Sequence, residues 1–118
     1  MTLLLQDSVA GLEVLDEEND TWHLVQPVSN TYIVNLGSLM QRWTNNTYNA
    51  CKHRVINHSG LRRYSIACNF NGNPDYSVSP IDEESTYPPI TVEKFLTSIY
   101  DNVYRGGVYE GKFSKDEK

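Results

Sequence analysis

Cys51-Lys52-His53-Arg54-Val55-Ile56-Asn57, a break at His58-Ser59-Gly60, and then Leu61-Arg62-Arg63-Tyr64-Ser65-Ile66-Ala67-Cys68-Asn69-Phe70 read as two β-strands joined by a turn. The break gathers Asn57, Ser59 and Gly60, residues that favour turns through local side-chain bonding or access to positive φ. Side chains alternate along a strand, so Cys51, His53 and Val55 share one face of the first. By the same rule Arg63, Ser65, Ala67 and Asn69 share a face of the second. His53 is thereby set near a cation and a hydroxyl two residues apart. Arg63 and Ser65 suit a carboxylate, because a guanidinium fork and a hydroxyl both donate to its oxygens. A lone histidine on a strand is more often a packed or surface residue than a ligand, so spacing alone does not assign His53 to a metal.

Upstream, residues 2 to 6 form a short apolar strand and Leu12 to Leu15 a second. Trp22 to Gln26 is a third, ended by Pro27, which cannot donate to a central ladder. His23, on this third strand, is read as facing outward. The acidic loop from Asp16 to Asp20 lacks the glycine and distal glutamate of a calcium loop and reads as a solvated turn. Thr31 to Leu36 is the clearest β run, rich in branched and aromatic residues. Gly37 breaks it, and Ser38 is placed to cap a short helix through Trp43.

Downstream, Asn71-Gly72-Asn73-Pro74 is a loop by composition. Tyr87-Pro88-Pro89 separates two parts, residues 1–87 and 88–118. In the second, Val92, Phe95, Leu96, Ile99, Tyr100 and Val103 recur at helical spacing. They predict a C-terminal helix capped by Thr91, stopped by Gly106-Gly107 and docked by its stripe on the outside of a sheet. The tail from Lys112 is charged and predicted to fray. The chain is thus mainly β with a C-terminal helix.

The sequence of 118 residues has room for one modest core. A net charge of −5 leaves no basic surplus to neutralise phosphates, and Tyr104-Arg105-Gly106-Gly107 is a single weak copy of an RNA-type pattern. No nucleic acid is expected as a partner. No apolar run approaches membrane-spanning length, and Met1-Thr2-Leu3-Leu4-Leu5 lacks the basic start and length of a signal peptide. The expectation is no membrane partner and a cytoplasmic location, with the glycosylation-type triplets at Asn19, Asn45 and Asn57 read as chance. With Arg63 inward, Cys68 points away from the side of Cys51, which predicts two free thiols rather than a disulfide.

His53-Arg54-Val55 followed by Arg63-Tyr64-Ser65-Ile66-Ala67 resembles the C-terminal half of the 2-oxoglutarate- and Fe(II)-dependent dioxygenases of the isopenicillin-N-synthase-like group. Thr2-Leu3-Leu4-Leu5-Gln6-Asp7, Gly11-Leu12-Glu13-Val14, Trp22, Asn35-Leu36-Gly37 and Gln41-Arg42-Trp43-Thr44-Asn45 fall in the family's order, so the likeness covers about residues 2 to 80. Ser38 stands where the family usually has Asp, and both residues cap helices. The resemblance implies a double-stranded β-helix, a jelly roll of two sheets with iron at its open end. It implies that His53 is the second histidine of a 2-His-1-carboxylate triad. It further implies that Arg63 and Ser65 grip the far carboxylate of 2-oxoglutarate. Asn69 falls where relatives often place an aromatic residue against the substrate. Fe(II) would be the metal, 2-oxoglutarate the cosubstrate and ascorbate an accessory addition. The implied reaction couples O2-dependent oxidation of a small organic substrate to release of succinate and CO2.

The family's first ligands, a His-x-Asp motif, precede the stretch matching Thr2 to Asp7, and this sequence contains no His-x-Asp. Asp7 is itself a matched position, and His23 and His58 fall off the site by strand assignment. The expected jelly roll is therefore incomplete at its N-terminal end, and the chain is expected to be inactive alone. The expected function is the C-terminal part of a 2-oxoglutarate-dependent dioxygenase. The alternatives are a catalytically silent remnant acting as a binding or interaction module, and half of a split enzyme. For either, exposed strand edges would support self-association or recruit a complementing chain.

Overall fold

Three consecutive leucines make Thr2–Gln6 (β1) the central strand of one sheet. The computed structural model describes residues 1–81 and 87–105, and these form two compact units. One unit, Thr2–Asn35 with Cys51–Asn69, contains β1, Leu12–Asp16 (β2), Thr21–Leu24 (β3), Ile33–Asn35 (β4), His53–Val55 (β5) and Ser65–Asn69 (β6). They form two antiparallel three-stranded sheets, ordered β4-β1-β6 and β3-β2-β5. Leu12 is the buried apolar anchor of this unit. β2 and β3 are joined by the acidic turn, where Asp16 Oδ1 accepts from the Glu18 amide at 3.1 Å and Asp20 takes φ 49°.

Cross-strand partners share a face, so the register shows which side chains gather. In the first sheet, Asn35, Thr2 and Asn69 are in line, followed by Ile33, Leu4 and Ala67, then Gln6 and Ser65. In the second, Val14 lies between His23 and His53. His23 is exposed and occupies the same side of the sheet as His53, two strands away. The opposite side carries Glu13, whose Oε2 accepts from Arg54 Nε at 2.6 Å, while the Arg54 guanidinium lies 4.0 Å from the Trp22 ring centre. His58 Nε2, 3.4 Å from Glu13 Oε1, belongs to that cluster and not to the His53 side.

Several expected strands are shorter than their sequences: of Cys51 to Asn57 only His53–Val55 is a strand, and the third strand ends at Leu24 and not Gln26. Asn30 at φ 59° and the Thr31 hydroxyl donating to the Val28 carbonyl at 2.9 Å close a turn, so β4 begins only at Ile33. β6 begins at Ser65, opposite Gln6 where β1 ends, which leaves Arg63 in the irregular approach. Strand alternation therefore does not place Arg63, and its hydrogen bonds do.

The other unit holds Met1, Leu36–Ala50 and the described residues from Phe70 onward. It contains Ser38–Trp43 (α1), Ser77–Val78 (β7), Ile90–Thr91 (β8) and Val92–Arg105 (α2). Gly37, not Ser38, is the N-cap of α1, and its carbonyl accepts from the Met40 amide at 2.9 Å. Ser38 is already helical and makes no capping bond, which corrects that expectation. The β7–β8 pair has no signal in the sequence reading. Thr91 does cap α2, its Oγ1 accepting from the Lys94 amide at 3.2 Å. The first-turn amides of Val92 and Glu93 go to the carbonyls of Tyr76 and Pro74, both at 3.0 Å.

Val78, Tyr87, Ile90, Val92 and Phe95 are buried together with Arg42, which donates to the Pro88 carbonyl and stacks at 5.0 Å on Tyr87. The apolar stripe of α2 is buried only in its first half, since Tyr100 and Val103 are exposed. The expected Gly106-Gly107 stop and the tail from Lys112 lie outside the described residues. Among the described residues no helix is long and apolar enough to cross a membrane.

Candidate cosubstrate and metal site

Arg63 is held at three points. Its Nε donates to the Val9 carbonyl at 3.1 Å, Nη2 to Gln6 Oε1 at 3.0 Å and Nη1 to Ser65 Oγ at 3.2 Å. A guanidinium has five N–H donors, so one remains on each of Nη1 and Nη2. All three acceptors are neutral. Among the described residues no carboxylate lies within ion-pair distance of Arg63. Ser65 Oγ accepts from the guanidinium, which leaves its own O–H to donate outward. The result is a fixed cation without an ion-pair partner among the described residues, beside a hydroxyl, the chemistry an oxyanion takes.

Asp7 lies near enough to feel the Arg63 charge but gives its oxygens to backbone amides. Its Oδ1 accepts from the Val9 amide at 2.9 Å and its Oδ2 from the Tyr64 amide at 2.6 Å. These backbone bonds, Tyr64 first and Val9 second, hold its carboxyl below the ordinary range, with the nearby Arg63 charge a smaller contributor. Asp7 thus fastens the residue before Ser65 to the loop whose Val9 carbonyl receives Arg63. Gly11 is the second residue that the sequence reading left without a role. A Cβ there would stand 2.9 Å from Arg63 Cδ and 3.0 Å from Nε. Both residues fall inside segments that resemble the family, Gln6-Asp7 and Gly11-Leu12, but their link to Arg63 spans more than 50 residues and leaves no local pattern.

His53 sits on β5, exposed, opposite Val14. Its Nδ1 is 3.1 Å from the Cys51 carbonyl, an oxygen that can only accept. Nδ1 is therefore the protonated nitrogen, and Nε2 keeps a lone pair available to a metal. The Asn35 side-chain amide lies 3.4 Å from Nδ1; turned to present its oxygen, it would be a second acceptor for that proton. Asn35 is in register with Thr2 and Asn69, and the Thr2 hydroxyl donates to Asn69 Oδ1 at 2.7 Å. A polar row thus runs from the His53 ring across the first sheet to Asn69, while Gln6 and Ser65 lie four residues along on the same face.

One imidazole is not a metal site. Among the described residues no group of three or more His, Cys, Asp or Glu side chains is placed to hold an ion. Cys51 and Cys68 are both exposed free thiols, as expected. A recess of about 500 Å³ opens beside Gln6, Asp7, Tyr64 and Ser65, lined also by Pro27 and Val28.

Residues 1–72 match the model of the 2OG-Fe(II) oxygenase superfamily. The whole chain aligns with a 2-oxoglutarate-Fe(II) type oxidoreductase of Emericella nidulans, hxnY, at 45% identity, covering 36% of that protein. The structure of a full-length Neurospora crassa protein in complex with alpha-KG and thymine superposes with a TM-score of 0.79 at 33% identity, covering 87% of this chain and 34% of that one. JOX2 in complex with 2OG, Fe and JA superposes with a TM-score of 0.74 at 36% identity, over 81% of this chain and 30% of that one. These relatives have the jelly-roll fold, and the match lies in their C-terminal part. The chain spans about a third of the length of the curated relatives it matches.

Proposed function

The chain belongs to the 2OG-Fe(II) oxygenase superfamily, and from that premise we propose that it carries the cosubstrate clamp and one metal ligand of a dioxygenase oxidising a small organic molecule. In this reading residues 1–87 are its part of the jelly roll, and residues 88–118 are the C-terminal helix and a tail of charged sequence. The observation that carries the reading is Arg63, anchored by neutral acceptors with two N–H donors to spare. A carboxylate meets such a donor set with two oxygens and takes a further bond from the Ser65 hydroxyl.

When bound, 2-oxoglutarate and Fe(II) supply the O2 chemistry that oxidises the substrate and releases succinate and CO2. Arg63 and Ser65 fix the far carboxylate of the cosubstrate and so set its orientation. His53 offers Nε2 in the tautomer selected by the Cys51 carbonyl. Asn69, on the same face as Ser65, borders the substrate. The described residues supply one imidazole, which does not fit a complete iron site, so no step is assigned to the metal. A complete site would need further ligands such as the family's His-x-Asp motif, which this sequence does not contain. The same reading takes ascorbate as an accessory reductant, no nucleic acid or membrane as partner, and the cytoplasm as the place of action.

Calorimetric titration of 2-oxoglutarate into the assembled enzyme tests the clamp. Arg63→Ala removes a charge-assisted contact of about 1.5–3 kcal/mol, so affinity should fall roughly tenfold or more with iron affinity nearly unchanged. Ser65→Ala, which removes a neutral donor, should lose less. Collapse of iron affinity in Arg63→Ala with the cosubstrate requirement intact would overturn the assignment.

A further inference from the structure

Arg63 reaches its three acceptors along a path that only glycine leaves open. Besides Arg63 Cδ and Nε, a Cβ on Gly11 would meet the Ile56 carbonyl oxygen at 3.1 Å. That carbonyl cannot simply withdraw, because the Ile56 amide is itself tied to the Gly11 carbonyl at 2.8 Å. Relief must come from Arg63. The atoms crowded are in the middle of its side chain, and moving Nε breaks its bond to the Val9 carbonyl. The backbone of Gly11 does not need positive φ, so clearance and not conformational freedom is what glycine provides here.

Gln6 adds a second constraint. Its amide oxygen holds Nη2 at 3.0 Å without bringing a charge. A carboxylate in its place would hold the guanidinium equally well and neutralise it. The choice of an amide anchors the cation without pairing it with a charge.

We propose that Gly11 and Gln6 are positioning residues for the dicarboxylate cosubstrate: Gly11 clears the channel for the Arg63 stem, and Gln6 fixes its head without adding a charge that would compete with the ligand. The proposal rests on the reading of Arg63 as the carboxylate clamp. Gly11→Ala should displace the guanidinium and weaken 2-oxoglutarate about tenfold. Gln6→Glu should weaken it more than Gln6→Ala, because the new carboxylate competes with the ligand for the same charge.

The test uses the full chain, labelled with nitrogen-15, and reads two quantities. One is solvent exchange of the Arg63 Nε–H, assigned by its loss in Arg63→Ala. The other is 2-oxoglutarate affinity in the wild type, Arg63→Ala, Gly11→Ala, Gln6→Ala, Gln6→Glu and the double variant Gly11→Ala/Arg63→Ala. The expected result is faster Nε–H exchange and weaker binding in Gly11→Ala, with no further loss when Arg63 is already alanine. Additive loss in the double variant would show that Gly11 acts on the fold at large and would overturn the proposal. If Gly11→Ala fails to fold, the order Gln6→Glu weaker than Gln6→Ala still decides. Equal affinities in those two variants overturn the role of Gln6. No binding to the wild type, or no loss in Arg63→Ala, overturns the clamp itself and this inference with it. Loss in Arg63→Ala with wild-type affinity in Gly11→Ala and Gln6→Glu overturns the inference alone.

Discussion

Asp7 links the chemistry of one carboxylate to the placement of a distant cation. As an anion it accepts from the Val9 and Tyr64 amides at 2.9 and 2.6 Å, and those bonds lower its pKa. Protonation weakens an acceptor, so the staple is fully present above the ordinary aspartate value of about 3.9 and is lost as pH falls through the lower folded value. Protection of the Tyr64 amide should therefore drop at acid pH, below about pH 4, and the Arg63 Nε–H should follow. In Asp7→Asn that acid-dependent drop should vanish. Constant Tyr64 protection through the acid range in the wild-type chain would contradict the role given to Asp7. Of the site residues, Ser65 and Asn69 are legible from strand alternation, because they lie in β6. Arg63 is legible as the neighbour of Ser65 from residue type and spacing, but alternation is not the reason, since it precedes the strand and is placed by Val9, Gln6 and Ser65. Gly11 is illegible for a simpler reason: a missing side chain leaves no pattern, and the space it provides is visible only once Arg63 has folded across it.

At the scale of elements, β5 and β6 are the ones that carry His53 and Ser65, and each is the last strand of its sheet among the described residues. Every residue of both strands is exposed. An edge strand offers unpaired backbone groups to any further strand that approaches. The sequence marks both as β-rich but cannot say that they are edges, because pairing is decided by β1 and β2 far away in the chain. Similarly, α2 is legible from its apolar spacing, yet Tyr100 and Val103 are exposed because packing on one side ends at Ile99. Amides of residues 50–56 and 62–69 whose partners lie on one side only, other than that of Tyr64, which Asp7 holds, should exchange quickly in the chain alone. They should slow when a complementary strand pair is added. Strong protection there in a dilute, strictly monomeric sample would refute strand addition at these edges.

For the molecule as a whole, the proposed cosubstrate and metal sites are unevenly furnished. The proposed carboxylate clamp draws on one unit, with Gln6, Val9, Gly11 and Ser65 around Arg63. The metal side offers His53 alone among the described residues, and the sequence holds no His-x-Asp. Metal affinity rests on several ligands held in fixed geometry, so a single imidazole confers little grip or selectivity for Fe(II). The 118-residue chain, given Fe(II), ascorbate and 2-oxoglutarate, should therefore release no more succinate than its His53→Ala variant. A polypeptide that supplies a His-x-Asp motif, together with strands able to pair with β5 and β6, should restore succinate release. That release should depend on His53 for the metal and on Arg63 for the cosubstrate, with the Arg63→Ala deficit eased by raising 2-oxoglutarate and the His53→Ala deficit eased only by raising iron. Turnover by the chain alone above the His53→Ala control would refute this division. Restored turnover that ignored both substitutions would refute the placement of the site on these strands.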